Sequence, residues 1–191
     1  MRSRPYNTFL VLLFSSFTQL GFGQQYNPYY NFKHLNVENG LAQNIVYHFL
    51  QDSRGYMWLG TRNGISVYDG IRTINFLHDE KNNKTPGGNF ITRILEDSDQ
   101  LIWIGNDAGI DLYNRADNSF THYGITMTDG HMEDGYCVLL GFSNRYDLWY
   151  IDTKSKAIRI FNTKTKKTRL AILTDAVDGM LYVNPDRKSV V

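Results

Sequence analysis

The 191-residue sequence has one cysteine, four prolines and almost no net charge. A single cysteine excludes an intramolecular disulfide framework and a cysteine-rich metal site. The 20 basic and 19 acidic side chains leave a formal charge of +1, which gives no general electrostatic reason to expect nucleic acid as a partner. With 42% hydrophobic and 20% charged residues the chain is not disordered. The 14% of aromatic residues and the 16 glycines favour β structure with many turns.

Long hydrophobic runs are also scarce. The one prominent run, Phe9–Phe14, is too short to span a bilayer comfortably. It follows Arg2 and Arg4, and Gly21–Gly23 then offers small residues for cleavage. This pattern predicts a secretory signal over residues 1–23, with a membrane anchor or a buried helix as the alternative. No later stretch is predicted to span a membrane, so we expect an exported, periplasmic chain.

A motif recurs along the chain at a spacing of 45 residues. Five pairs are identical at this spacing: Asp52 and Asp97, Trp58 and Trp103, Gly60 and Gly105, Gly64 and Gly109, Tyr68 and Tyr113. A weaker third copy contains Trp149, and a fourth is expected to begin near Val177–Val183. Residues that recur in this way are predicted to be structural, because a catalytic constellation is unique.

Each copy is typical of four short strands separated by turns. In the first copy the predicted strands are Ile45–Leu50, Tyr56–Thr61, Ile65–Tyr68 and about 72–77. Apolar residues at both alternating positions predict strands covered on both faces. Four-stranded antiparallel units of about 45 residues that must bury both faces are blades of a β-propeller. All three tryptophans are then core residues between sheets, and Gly60 and Gly105 mark a bulge or a close backbone approach.

The fold class predicted is therefore all-β, an incomplete propeller of three blades plus part of a fourth. The predicted segments are the signal 1–23, a lead-in at 24–44 that can add an outer strand, and repeats over 45–191, with copies at 45–77, 91–123 and 136–170 and a partial one at 177–191. Closed rings need roughly four to eight blades. The sequence thus predicts an N-terminal fragment of a longer protein or a truncated product.

The stretch Asp52–Tyr68 and its copy Asp97–Tyr113 resemble the two-component regulator propeller repeat, and Phe32–Asn44 resembles the usual start of such sensors. The resemblance implies a periplasmic sensor ectodomain, followed in the family by a β-sandwich module, a membrane helix and a histidine kinase. It further implies carbohydrate fragments as ligands and a homodimer formed through the full-length sensor. The third copy departs from the pattern, since Ile151 stands where the other copies have glycine.

No cofactor, metal or catalytic residue is predicted. His78 with Thr85-Pro86 imitates a phosphoacceptor site only superficially, because the spacing is long and helix-breaking glycines follow. The five histidines lack metal-ligand spacing, and the loop with His131 and Glu133-Asp134 is a weak cation site at most, with a solvated loop as the alternative. The acidic cluster at 96–99 is repeated in part and favours a turn over a glycosidase pair.

Ligand contacts are predicted in the loops between the second and third strands of the copies. These loops carry Arg62, Asn63, Asn106 and Asp107, whose mixed donors and acceptors suit sugar hydroxyls or carboxylates. Ordinary turn chemistry is the alternative for each. The segment 154–169 holds seven basic residues and no acid, which indicates a solvated outer hairpin or a patch for an acidic polysaccharide.

The function predicted from the sequence is a non-catalytic, extracytoplasmic ligand-sensing segment of a two-component system. Its partner is a small molecule or oligosaccharide, with no nucleic acid. One alternative is a secreted adhesion or scaffold propeller without a signalling role, which a downstream membrane helix and kinase would exclude. A second is a polysaccharide-acting propeller enzyme, which turnover of oligosaccharides would reveal.

Overall fold

Three four-stranded antiparallel sheets form the part of the chain that the structure describes, residues 33–124 and 136–173 of the computed structural model. The first sheet contains β1 (Val46–Gln51), β2 (Met57–Thr61), β3 (Ile65–Tyr68) and β4 (Thr73–Phe76). The second contains β5 (Ile91–Glu96), β6 (Ile102–Asn106), β7 (Gly109–Asn114) and β8 (Ser119–Gly124). The third contains β9 (Cys137–Phe142), β10 (Asp147–Asp152), β11 (Ala157–Asn162) and β12 (Lys167–Leu173).

Several predicted features lie outside the described residues. They are the signal segment 1–23, the partial fourth copy 177–191 and the loop residues His131, Glu133 and Asp134. Within the described ranges, no helix has the length and apolar character that crossing a bilayer requires.

In each sheet the strands follow one another in chain order, so every neighbouring pair is a hairpin. The sheets stack face to face, with β1 against β5 and β5 against β9. The first strand of each sheet therefore lies beside the first strand of the next. This arrangement confirms the predicted all-β fold of successive propeller blades, and we refer to the three sheets as blades one, two and three.

The strand bounds follow the turn chemistry of the repeated aspartate. The predicted strand Ile65–Tyr68 is observed with the same bounds, whereas β2 begins at Met57, one residue later than predicted. The reason is that the Asp52 backbone N–H donates to the Tyr56 carbonyl at 2.9 Å, which keeps Tyr56 in the turn. The Asp52 side chain also accepts the N–H of Tyr56 at 2.9 Å, as turn aspartates commonly do.

The core consists of two apolar layers, one between each pair of neighbouring blades. Trp58 and Ile65 of blade one pack against Ile94 and Phe120 of blade two in the first layer. The second layer is built in the same way around Trp103, which is fully buried between blades two and three. Burying large aromatic groups in this way stabilises the contact between neighbouring blades.

Gly60 and Gly105 are confirmed as points of close approach. A methyl group on Gly60 would lie 2.6 Å from Cγ2 of Ile91, and one on Gly105 would lie 2.6 Å from the carbonyl oxygen of Cys137. Both neighbours belong to the first strand of the next blade. The pairing register of β1 with β2 also shifts between Val46 and His48, beside Gly60. The glycines thus let adjacent blades touch at their first strands.

Two expectations about burial are wrong. The strands were expected to be covered on both faces, but alternate residues of β1 are exposed, and Phe49 has 69% of its surface exposed. All three tryptophans were expected in the core, but Trp149 is only partly buried. The physical reason is the same in both cases, because no described sheet packs on the outer faces of blades one and three.

Residues 35–44 of the lead-in lie against blade one and contain a 3-10 turn at Val37–Asn39 but no strand. The backbone N–H of Ala42 donates to Oγ of Ser66 at 2.9 Å. The side-chain amide of Asn75 donates to the carbonyl of Gly40 at 2.9 Å. Ser66 and Asn75 are paired neighbours on β3 and β4, so this segment covers part of the outer face of blade one.

Candidate functional site

Three aromatic side chains form a row where the first strands of the blades begin. Tyr47, Phe90 and Tyr136 belong to blades one, two and three. The ring centroids of Tyr47 and Phe90 are 5.2 Å apart, and those of Phe90 and Tyr136 are 5.0 Å apart, both with edge-to-face geometry. The two tyrosines remain 47% and 44% exposed. We call these three side chains the aromatic row.

Local backbone contacts hold the row in place. The Tyr136 backbone N–H donates to Oγ1 of Thr153 at 3.0 Å, and the Thr153 N–H donates back to the Tyr136 carbonyl at 3.2 Å. The residue before Phe90 is held as well, since the Gly64 N–H donates to the carbonyl of Asn89 at 2.8 Å. Gly64 is needed there because its φ is +91° and a methyl group would meet the carbonyl of Phe76. Tyr136 and the residue before Phe90 are therefore each tied to a loop between second and third strands.

Two of the predicted ligand residues converge on Phe90. The guanidinium of Arg62 lies 5.4 Å from the Phe90 ring centroid, in the range of a cation–π contact. An Oδ1 oxygen of Asp107 accepts the Phe90 backbone N–H at 3.3 Å. Arg62 is exposed and Asp107 is partly exposed. The loops of blades one and two thus bring a cation, a carboxylate and an aromatic ring together at one face.

The other two predicted ligand residues, Asn63 and Asn106, differ from each other in burial. Asn63 is exposed in the turn, where its backbone N–H donates to Oγ1 of Thr61 at 2.9 Å. Asn106 is fully buried, and its side-chain oxygen accepts the N–H of Ala108 at 2.8 Å and that of Gly109 at 2.9 Å. The buried Asn106 therefore shapes the loop, and the ligand role predicted for both residues stays a prediction.

The buried carboxylate of Asp111 holds the loop before Phe90 in place. Asp111 is fully buried on β7 and accepts hydrogen bonds from the Asn106 amide at 2.6 Å and from the Gly87 backbone N–H at 2.8 Å. Its other oxygen lies 2.7 Å from Nδ1 of His122. Because a buried carboxylate without partners is costly, this network holds the loop before Phe90 firmly against blade two.

The chemistry available at the aromatic row is recognition of a ligand that has both apolar faces and hydroxyl groups. Tyrosine rings offer flat apolar surface with a polar tip. Arg62 supplies donors and Asp107 supplies acceptors in the same place. Among residues 33–124 and 136–173, no cluster of three or more His, Cys, Asp or Glu side chains is placed to hold a metal. The Cys137 thiol is buried nearby, and burial raises its pKa well above the ordinary value.

The aromatic row was missed in the sequence, although a signal for part of it was present. Ile45, Phe90 and Tyr136 each stand directly before the first strand of a copy, at spacings of 45 and 46 residues. Ile45 is itself 57% exposed. A recurring apolar residue in a loop position, next to the predicted binding loops, was the available clue.

The basic segment 154–169 lies mostly on the hairpin of β11 and β12, and β12 is the last strand of its sheet. This is the position expected for an outer hairpin. Two of its cations have partners within blade three. Arg159 lies 3.2 Å from Asp152, and Arg169 lies 3.0 Å from Asp147.

The stacked hairpin sheets define this protein as one built from β-propeller blades. The family model for the two-component regulator propeller matches residues 40–63 and 85–108. These matched residues contain the first two copies of the repeated tryptophan and glycine. The chain therefore carries two-component regulator propeller repeats, which confirms the resemblance drawn from its sequence.

The chain is also similar to solved structures. The chain is similar to the extracellular domain of the putative hybrid two-component system BT3049 from B. thetaiotaomicron, with 26% identity and a TM-score of 0.61 over 72% of this chain. It spans 19% of the length of that structure. The extracellular domain of the putative hybrid two-component system BT4673 from the same organism matches over 65% of this chain and 24% of its own, with 20% identity and a TM-score of 0.41. No curated protein gives a significant match.

Proposed function

We propose that this chain is part of an extracytoplasmic, non-catalytic sensor of a two-component regulator and that its ligand is a carbohydrate. The propeller repeats and the similarity to an extracellular domain of a hybrid two-component system support the sensor role. The proposal includes cleavage of the signal segment 1–23 and a periplasmic location. It also includes a homodimer formed through the full-length sensor.

The observation that carries the ligand class is the exposed aromatic row flanked by Arg62 and Asp107. Sugar rings present apolar C–H faces and a rim of hydroxyl groups. Two half-exposed tyrosines on either side of Phe90 supply matching apolar surfaces. The charged side chains beside Phe90 then supply the few polar contacts that fix the orientation of a ligand.

The test uses the exported chain and a panel of neutral xylo-, manno-, cello- and arabino-oligosaccharides, with binding measured by calorimetry. We expect at least one class to bind, and we expect Phe90→Ala and Arg62→Ala to weaken that binding about tenfold or more, as loss of a central contact does. Arg54→Ala is the matched control, because Arg54 is an exposed arginine of the same blade in the turn at the opposite end of β2. A folded chain that binds none of the panel would overturn the carbohydrate assignment.

Signalling is tested separately from binding. The transcriptional response of the source cells to the bound oligosaccharide is compared between the wild-type gene and the Phe90→Ala gene. A response that Phe90→Ala removes supports the sensor role. Binding with no transcriptional response favours an adhesion role, and shorter sugars appearing during incubation favour an enzyme.

A further inference from the structure

A cleft lies between blades two and three. The cleft has a volume of about 460 Å³ and is lined by Tyr123, Gly124, Tyr150, Arg159, Phe161, Lys166 and Thr168. This volume is in the range of pockets that hold small ligands. None of the residues of the aromatic row lines the cleft.

The repeat itself explains why the cleft is open. In blade two, Tyr113 pairs across the sheet with Phe120, and Phe120 packs against Phe76 of blade one with ring centroids 5.2 Å apart. The equivalent pair in blade three is Phe161 and Thr168. A threonine therefore stands where the first interface has a phenylalanine ring. The smaller side chain leaves open space beside Tyr123 and Phe161, at the position that Phe120 fills in the first interface.

A cation without a carboxylate partner faces this space. Nζ of Lys166 lies 4.9 Å from the ring centroid of Trp103 and 5.1 Å from that of Tyr123. Among the described residues no carboxylate forms an ion pair with Lys166, whereas the charge of Arg159 is matched by Asp152 at 3.2 Å. Lys166 also has a φ of +59°, which the hairpin turn holds through its N–H bond to the Asn162 carbonyl. The ammonium therefore carries a net positive charge into the cleft.

The remaining lining offers hydroxyl groups and flat apolar surface. Tyr150, which is 2% exposed, lines the cleft. Burial raises the pKa of Tyr150 to about 12, so its hydroxyl stays neutral and adds no negative charge. Tyr123 and Phe161, with ring centroids 5.1 Å apart, form an aromatic wall.

We propose that this cleft binds a carboxylate-bearing ligand of about monosaccharide size, with its carboxylate on Lys166 and its ring against Tyr123 and Phe161. The uncompensated ammonium selects a single negative charge. The aromatic wall selects a ring-shaped body. This site does not depend on the proposed carbohydrate site at the aromatic row, because the two have no residue in common.

The experiment titrates the exported chain with glucuronate, glucose and acetate by calorimetry. We expect glucuronate to bind at least about tenfold more tightly than either glucose, which lacks the charge, or acetate, which lacks the ring. Binding should weaken with added salt, because a partly exposed ammonium is screened. Equal affinity for glucuronate and glucose, or for glucuronate and acetate, would overturn the proposal, as would no binding of glucuronate.

Variants place the ligand in the cleft. Lys166→Met, which keeps the length of the side chain and removes its charge, should lower the affinity for glucuronate about tenfold or more. Lys164→Met is the matched control, because Lys164 belongs to the same hairpin but lies over Tyr146, 5.5 Å from its ring centroid and outside the cleft. Thr168→Phe, which copies Phe120, should abolish binding while the chain stays folded. Wild-type affinity of Lys166→Met for glucuronate would refute the site, whatever the result for Thr168→Phe. Arg62→Ala should bind glucuronate as wild type does, which separates this site from the aromatic row.

Discussion

The indole N–H of Trp58 donates to Oδ2 of Asp52 at 2.9 Å, and this bond joins a turn to the apolar layer between two blades. Trp103 and Asp97 repeat it at 2.8 Å. In the third copy Trp149 donates instead to Oγ of Ser143 at 2.8 Å. The bond explains why the aspartate and the tryptophan recur together, six residues apart, since the carboxylate both forms the turn and satisfies the buried indole.

Replacing the turn residue that accepts the indole N–H should destabilise the fold more when that residue has more hydrogen-bond partners. Asp52 also accepts from Nη2 of Arg115 at 2.9 Å, and no such arginine bond to Asp97 is present among the described residues. We expect Asp52→Asn to lower the free energy of unfolding by about 2 kcal/mol, the scale of a buried hydrogen bond to a charged group. Asp97→Asn should lower the free energy of unfolding by less, and Ser143→Ala should lower it the least. Denaturant unfolding measures all three, and equal losses would contradict this ranking.

Gly105 should tolerate no side chain. A methyl group there would lie 2.6 Å from the backbone carbonyl of Cys137, which cannot move without displacing blade three. We expect Gly105→Ala to cost about 3 kcal/mol, at the upper end for overpacking. Gly70→Ala is the control, because Gly70 has open space around it and only a left-handed φ of +97°. That variant should cost about 1 kcal/mol, and thermal unfolding that ranks the two in the opposite order would exclude the steric explanation.

Stability should fall on mild acidification through His48. Burial, with the charge of Arg93, lowers the pKa of His48 below 6.5. Its Nδ1 lies 3.3 Å from the backbone nitrogen of Ile94 in the next blade. Because the unfolded chain then takes up the proton more readily than the folded chain, stability decreases as the pH falls from 6.5 towards the folded pKa.

The measurement for His48 is the free energy of unfolding as a function of pH. His48→Gln should remove the decline below pH 6.5, whereas the exposed His34→Gln should keep it. A His48→Gln curve that matches wild type would refute the assignment to His48.

A second decline of stability, at lower pH, belongs to Asp52. Burial raises the pKa of Asp52, but hydrogen bonds from Trp58 and Arg115 outweigh burial and lower it below 3.8. The stability that Asp52 contributes is therefore lost only as the pH falls through that lower value.

Exchanging the equivalent residues Phe120 and Thr168 should change stability by very different amounts at the two blade interfaces. Phe120 is 4% exposed and packed between aromatic rings, so Phe120→Thr should cost about 3 kcal/mol through the space it leaves. Thr168 is exposed at the cleft, so Thr168→Phe should change stability by about 1 kcal/mol or less. Denaturant unfolding of both variants checks this, and a large loss in Thr168→Phe would mean that the cleft has no room for the ring.

Much of the fold was predictable because it depends on local chemistry that recurs. The aspartate turn, the tryptophan filler and the close-approach glycines act within one blade or on the next, so their fixed spacing reveals them. The bounds of β3 follow for the same reason. The degree of burial was less predictable. Phe49 and Trp149 have the residue types of a core but lie on faces that no described blade covers, and sequence pattern carries no information on which face is covered.

The sequence by itself determined that this protein is built from repeated four-stranded units, because turn geometry and strand alternation are properties of neighbouring residues. Only the tertiary structure decided which side chains meet. It brought Arg62 and Asp107 to Phe90 from separate blades, buried Asn106 beneath them and opened the cleft beside Lys166. Contacts between blades depend on how sheets stack and on which side chain fills each layer, and residues far apart in the chain carry no local sign of that packing.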